Sequence, residues 1–106
     1  MSFPGSTEEI ELDAFRASGL LRVQFPKQLK TVSQGAFAQC GRLVGVTMNE
    51  GLETLGTNEY RENGTMCIGV FQESALESVS LPSTLKRIEY RAFMRCGALR
   101  EIDFPE

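Results

Sequence analysis

The three cysteines, Cys40, Cys67 and Cys96, are the residues of this chain best suited to redox, metal or nucleophilic chemistry. None belongs to a C-x-x-C pair, so their spacing excludes a zinc cage and a thioredoxin-like motif. The chain has no histidine, which removes the general base of Ser-His and Cys-His catalysis and imidazole metal ligation. We therefore expect no enzyme activity, no metal and no cofactor. Cys40 and Cys96 are expected to be reduced, buried core residues, and Cys67 is the candidate for an exposed, reactive thiol.

Carboxylates are the second group with chemical potential. Glu101 and Asp103 alternate along one stretch of chain, as paired catalytic acids would. No apolar wall is evident to raise the pKa of one of them, so they are interpreted as surface charges. A run of acidic residues near the start has no D-x-[DN]-x-[DN]-G calcium loop, and a solvated face explains it better than a calcium site. This run consists of Glu8, Glu9, Glu11 and Asp13.

Composition limits the remaining functions. The chain has 106 residues, 42% of them hydrophobic, with 11 basic and 14 acidic residues and a net charge of −3, which is typical of one small globular domain. There is no basic patch for nucleic acid and no G-x-x-x-x-G-K-[ST] phosphate loop. No apolar run approaches the roughly 20 residues that membrane insertion needs. Residues 1–5 lack a charged and apolar leader, so we expect no signal peptide in this chain.

The prolines reveal an internal repeat that must position all these residues. Pro4 and Pro26 are 22 residues apart, and Pro82 and Pro105 are 23 apart. Asn49 takes the same slot 23 residues after Pro26, and the next interval of 33 contains about 11 inserted residues. A period of this length indicates a solenoid of stacked coils.

The phenylalanines follow the same period in two registers. Phe3, Phe25 and Phe104 each precede a proline, and the second register contains Phe15, Phe37, Phe71 and Phe93. The slot three residues after the second register is always small, occupied by Ser18, Cys40, Ser74 and Cys96. This pattern resembles the BspA-like leucine-rich repeats, whose units read roughly L-x-x-I-x-I-P-x-x-[L/V]-x-x-I-G-x-x-A-F-x-x-C. Leu85-Ile88-Ala92-Phe93-Cys96 and Leu99-Ile102-Phe104-Pro105 carry the likeness most clearly.

The resemblance implies an α/β leucine-rich-repeat solenoid of about four coils, each with one parallel strand and one short helical turn. The predicted coils are residues 3–25, 26–48, 49–81 and 82–105, with an insertion at about 57–68. The strands are expected at 20–25, 43–48, 76–81 and 99–104, forming one parallel sheet, and the segment around Tyr90–Arg95 is expected to form the helical turn. Both ends of the chain lie in the same phase without a polar cap, which predicts a fragment of a longer array or self-association through uncapped ends.

Two surfaces are candidate binding sites. The first is the row of strand residues whose side chains point outward, and its charge changes from basic in the first coil to acidic in the last. A shallow polar face of this kind suits a protein, peptide or glycan better than a cofactor. Its residues are Arg22, Gln24, Thr47, Ser78, Ser80, Glu101 and Asp103. Residues 57–68 are interpreted as a tolerated surface loop or, alternatively, as a recognition loop that uses Tyr60, Arg61 and Met66.

The expected function is a non-enzymatic binding or adhesion module. The family resemblance implies a protein or cell-surface ligand and a location at the cell surface or in secreted form, whereas unpaired cysteines favour a reducing compartment. The alternative is a structural spacer or a self-assembling repeat segment of a larger surface protein.

Overall fold

The computed structural model describes residues 4, 6–56, 68–89 and 91–103, and it is a solenoid of about four coils built from stacked parallel strands. Each coil contributes one strand to a return limb and one to the opposite face, which we call the strand face. The strands of the described residues are β1 (Glu9–Ile10), β2 (Arg22–Gln24), β3 (Thr31–Val32), β4 (Gly45–Thr47), β5 (Thr54–Leu55), β6 (Ser78–Ser80), β7 (Arg87–Ile88) and β8 (Glu101–Asp103).

The return limb forms a continuous parallel sheet in the order β1-β3-β5-β7. Its register pairs equivalent repeat positions, so the apolar residue of each coil stacks on that of the next. This ladder consists of Ile10, Val32, Leu55 and Ile88. The pairing of this limb into a four-stranded sheet explains why coils with such short strands hold together.

Stacked phenylalanines fill the core beneath the turns. The ring centroids of Phe15 and Phe37 lie 5.5 Å apart, and those of Phe37 and Phe71 lie 5.6 Å apart. Phe93 continues the stack at 5.6 Å from Phe71, and neighbouring ring planes differ by at most 12°. The predicted register of phenylalanines therefore forms one aromatic column along the solenoid axis.

The predicted helical turn is wrong, because the described residues contain no helix. The segment of each coil around its core phenylalanine forms successive turns instead. In the first coil the N–H groups of Ala14 and Arg16 donate within the turn, whereas those of Asp13, Phe15 and Ala17 donate to carbonyl groups of the next coil. A helix would direct all of these N–H groups along its own axis, so bonding between coils at every second residue replaces it.

The strand face is divided where one sheet was expected. β2 pairs with β4, and β6 pairs with β8, both in parallel. Between β4 and β6 the described residues form no ladder; the Glu77 N–H donates to the Val44 carbonyl at 3.4 Å just before these strands begin. The second and third coils are thus joined by strand pairing at the return limb and by ring contacts at the phenylalanine column, but β4 and β6 of the strand face are not joined by a hydrogen-bonded ladder.

Candidate functional site

The strand face presents all seven residues that the sequence singled out. Side chains along each three-residue strand point alternately to the two sides, so Val23 and Val79 point into the core while their neighbours point outward. The outward residues Arg22, Gln24, Thr47, Ser78, Ser80, Glu101 and Asp103 are all exposed. Their role in binding remains a prediction.

A cleft of about 390 Å³ lies across the middle of the strand face, over β2, β4 and β6. We call it the central cleft. Its lining residues are Arg22, Val23, Val44, Gly45, Val46, Thr47, Met48, Glu77, Ser78 and Ser80. The apolar members come from the first and second coils and are partly or fully buried, so the accessible surface of the central cleft is mainly polar, with charges of both signs from Arg22 and Glu77.

Arg22 reaches into the central cleft because its neighbour in the ladder is a glycine. Arg22 pairs with Gly45 in the register of β2 and β4. A side-chain carbon on Gly45 would meet the Nη1 atom of Arg22 at 2.8 Å, so the arginine lies across the space that Gly45 leaves open. Its guanidinium group therefore shares the cleft with Glu77 and presents donors to a carboxylate or a backbone carbonyl.

A second, shallower cleft of about 340 Å³ adjoins the first at the C-terminal side. It is lined by Glu77, Ser78, Arg100 and Glu101, so Glu77 and Ser78 belong to both clefts. The presence of Glu77 in the middle and Arg100 at the acidic end means that the face carries mixed charges rather than the expected gradient. Asp103 lies apart from this cleft and accepts a hydrogen bond of 3.3 Å from the Ser80 hydroxyl.

The structure thus brings four of the seven predicted residues into the central cleft, namely Arg22, Thr47, Ser78 and Ser80. Gln24 lies outside both clefts, and Glu101 lies in the shallower one. Sequence reasoning missed Val44, Val46 and Met48. The available signal was Val44, an apolar residue in the strand-flanking slot that Glu77 and Arg100 occupy in the following coils.

The insertion begins and ends over a buried polar cluster formed by Gln34 of the second coil and Glu89 of the fourth. Glu89 is 3% exposed and Gln34 is fully buried. The Glu89 carboxylate accepts hydrogen bonds from the N–H of Val70 at 3.3 Å and of Arg91 at 2.7 Å, and the Gln34 amide donates to the Ile68 carbonyl at 3.2 Å. Burial raises the pKa of Glu89, against the lowering effect of the N–H donors, of Gln34 and of the Arg91 charge. This cluster fixes one end of the insertion to the solenoid.

Two glycines flank the insertion because there is no room for a side chain. Gly56 has a φ of +96°, and a side-chain carbon there would collide with the Glu89 side chain. At Gly69 it would collide with the backbone carbonyl of Arg91. The predicted loop site, Tyr60, Arg61 and Met66, lies outside the described residues, as does Cys67.

Cys40 and Cys96 are free, buried thiols, as the repeat predicts. The Cys40 Sγ donates to the Phe15 carbonyl at 3.2 Å, and the Cys96 Sγ donates to the Phe71 carbonyl at 3.1 Å. Each thiol therefore links two adjacent coils.

The described part of the chain contains no group of three or more side chains placed to hold a metal ion. None of the described residues belongs to a helix with the length and apolar character needed to cross a lipid bilayer.

Comparison with known families gives one match, which covers the chain. The model described as "BspA type Leucine rich repeat region (6 copies)" matches residues 1–67 and 65–106. No curated protein and no solved structure matches the chain. Repeat regions of this family are modules of surface proteins and are typically non-catalytic.

Proposed function

The chain belongs to the BspA-type leucine-rich repeat family, and from this we propose that it is a non-catalytic binding module of a surface protein. The ligand is a segment of another protein that lies across the strand face in the central cleft. A glycan is the less favoured ligand, because the central cleft combines apolar residues with charges of both signs.

The observation that carries this proposal is the cleft on the strand face where β4 and β6 form no ladder. The adjacent coils remain stacked elsewhere, since Phe37 and Phe71 are in contact and β3 pairs with β5. A ligand can therefore occupy the central cleft without disturbing the core. The partly exposed residues Val44, Val46 and Met48 supply a small apolar area to bury, and the exposed polar residues supply specificity, above all Arg22 and Glu77.

The test is selection of ligands from a random peptide library, followed by affinity measurement on variants. Peptides that bind the wild-type chain are measured by calorimetry against Arg22→Glu. We expect the affinity to fall by at least about tenfold, because a charge-assisted hydrogen bond contributes about 1.5–3 kcal/mol. Thr47→Arg, which fills the central cleft from an exposed position, should have a similar effect.

Arg42→Glu is the matched control, since Arg42 is exposed and lies outside the central cleft. It alters the net charge by the same amount as Arg22→Glu. Equal losses in these two variants would indicate a general charge effect and contradict the proposed site. If the library yields no peptide and a glycan array yields a ligand sensitive to Arg22→Glu, the site stands and the ligand class is wrong.

The insertion is the second candidate site, with Tyr60, Arg61 and Met66 as its contact residues. Removal of residues 57–67 takes out 11 residues and leaves Leu55-Gly56-Ile68-Gly69-Val70-Phe71. Leu55 and Phe71 are then five positions apart, as Val32 and Phe37 are in the second coil. The deletion therefore restores the regular repeat. If it abolishes peptide binding while Arg22→Glu does not, the binding site belongs to the insertion.

A further inference from the structure

The two ends of the solenoid differ in how they are covered. In the return-limb ladder, Ile10 is 3% exposed and Val32 and Leu55 are fully buried, whereas Ile88 in the last coil is 39% exposed. A cavity of about 500 Å³ opens at this C-terminal end. Its lining residues are Leu81, Ile88, Glu89, Ala92, Phe93, Met94 and Ile102. The apolar columns of the core thus reach the surface there.

Both ends also carry strand edges that are unpaired in the described part of the chain. At the C-terminal end these are the outer edges of β7 and β8, and at the N-terminal end those of β1 and β2. Unpaired edges favour pairing with another chain. Because every strand pair in the solenoid is parallel and joins equivalent repeat positions, the register in which a second copy would continue the stack is defined.

The charges of the return limb alternate from coil to coil. The slot two residues before the apolar ladder is occupied by Glu8, Lys30, Glu53 and Lys86. Backbone hydrogen bonds of 2.8–2.9 Å join each of these residues to the next. The Lys86 Nζ lies 4.0 Å from a Glu53 carboxylate oxygen, so the alternation already yields an ion pair between the third and fourth coils. A second copy stacked in register would add its Glu8 after Lys86.

Neighbouring slots show the same complementarity between the two ends. In the same register Arg87 would lie over Glu9 of the second copy, and Glu101 would lie over its Arg22. The first coil carries four acidic and two basic residues, and the fourth carries five basic and three acidic residues. Contact between two C-terminal ends would place basic residues against one another, which is destabilising.

We propose that this chain associates with a second copy of itself head to tail, with the first coil of one molecule stacked on the C-terminal end of the next. Val23 in the first coil is 3% exposed, like Ile10, so the inward-facing strand residues at that end add little open apolar surface, although Leu12 and Leu21 of the same coil are exposed. The association is therefore weak and depends on charge. A head-to-tail contact leaves one end of each molecule free, so it continues into open chains or closes into rings.

The test is a charge exchange between the two ends, at Arg87 and Glu9. These residues pair with Thr54 and Thr31 inside the solenoid, and reversing their charges breaks no ion pair among the described residues; Glu9→Lys removes only the acceptor of a 3.4 Å hydrogen bond from the Ser33 hydroxyl. Sedimentation of the wild type should give a weight-average mass that rises above 11.8 kDa with concentration. The rise should shrink between about 0.01 M and about 0.15 M salt, as the Debye length falls from about 30 to about 8 Å.

Arg87→Glu alone and Glu9→Lys alone should each weaken association about tenfold, because attraction becomes repulsion. An equimolar mixture of the two variants should recover it, since each molecule then offers an end opposite in sign to its partner's. Arg42→Glu is the control and should associate like the wild type. Circular dichroism verifies that each variant is folded.

A wild type that stays monomeric at all concentrations overturns the proposal, as does a mixture that associates no better than its components. Both substituted residues lie on the return limb, away from the strand face. Peptide binding in the central cleft should therefore be unchanged in Arg87→Glu, which separates a failure of this proposal from a failure of the proposed function.

Discussion

The phenylalanine column should contribute stability in proportion to the number of rings that each member touches. Phe37 is fully buried, and its ring lies 5.5 Å from Phe15, 5.6 Å from Phe71 and 5.9 Å from Phe25. An aromatic pair contributes about 0.5–1.5 kcal/mol beyond the area it buries, so Phe37→Leu should lose about 1.5–4.5 kcal/mol from this source. A domain of this size has a free energy of unfolding of about 5–15 kcal/mol, and the substitution should therefore remove a large part of it.

Phe25→Leu and Phe93→Leu are the comparisons that separate ring contacts from burial. Phe25 is almost as buried as Phe37 but has one of these ring contacts, and Phe93 has one and is partly exposed. Each should lose only about 0.5–1.5 kcal/mol of pair energy. Urea unfolding followed by far-ultraviolet circular dichroism gives the free energies, since the chain has no tryptophan. Equal costs for Phe25→Leu and Phe37→Leu would refute the reasoning, because burial alone would then explain both.

Three further predictions concern the base of the insertion and the thiols. Gly69→Ala should destabilise the chain by about 1–3 kcal/mol in urea unfolding, because its side chain would collide with a backbone carbonyl. A side-chain carbon at Gly97 would meet no heavy atom within 4 Å, so Gly97→Ala should change the free energy of unfolding little. Similar losses of stability in the two variants would contradict the steric account. Because the pKa of Glu89 is raised above the ordinary 4.5, the folded state binds its proton more tightly than the unfolded state does. The contribution of Glu89 to the free energy of unfolding should be greatest below about pH 4.5 and fall as the pH rises through the raised pKa. Glu89→Gln should flatten this dependence of stability on pH. If the dependence is the same in the variant, Glu89 is not its source. Cys40 and Cys96 are buried, so a thiol reagent should label at most one of the three cysteines of the folded chain and all three in urea. Rapid labelling of two cysteines in the folded chain would contradict the burial of these thiols.

The columns of the solenoid were predictable from sequence because they depend on repeat positions alone. The equivalent repeat positions of Phe15, Phe37, Phe71 and Phe93, which are 22 residues apart except across the insertion, specify which side chains meet once coils stack in register. The turns around these residues were not predictable in the same way. Whether the Phe15 N–H bonds within its own coil or to Ala36 depends on the closeness of the next coil, and a single coil's sequence carries no such information.

The central cleft illustrates a second limit of sequence reasoning. The outward positions of the strands follow from alternation, and all seven predicted residues are exposed. The missing ladder between β4 and β6 does not follow from it, because the repeat predicts the same pairing between all coils. Gly45 and the partly exposed Val44 and Val46 mark the place, but their effect depends on how Arg22 lies across the glycine.

The opposite charges of the two ends follow from the stacking itself. In-register parallel pairing places equivalent positions about 4.8 Å apart, and like charges so close are destabilising. Two neighbouring slots of the return limb avoid this repulsion in different ways. One alternates in sign from coil to coil, with Glu8, Lys30, Glu53 and Lys86. The adjacent slot places neutral threonines between the charged residues of the first and last coils. When the charge in a slot alternates from coil to coil, a solenoid with an even number of coils has opposite charges at its two ends. A solenoid with an odd number of coils has like charges there. A chain shortened by its last coil would end at Glu53, opposite another molecule's Glu8, and should lose head-to-tail association even where the core remains folded.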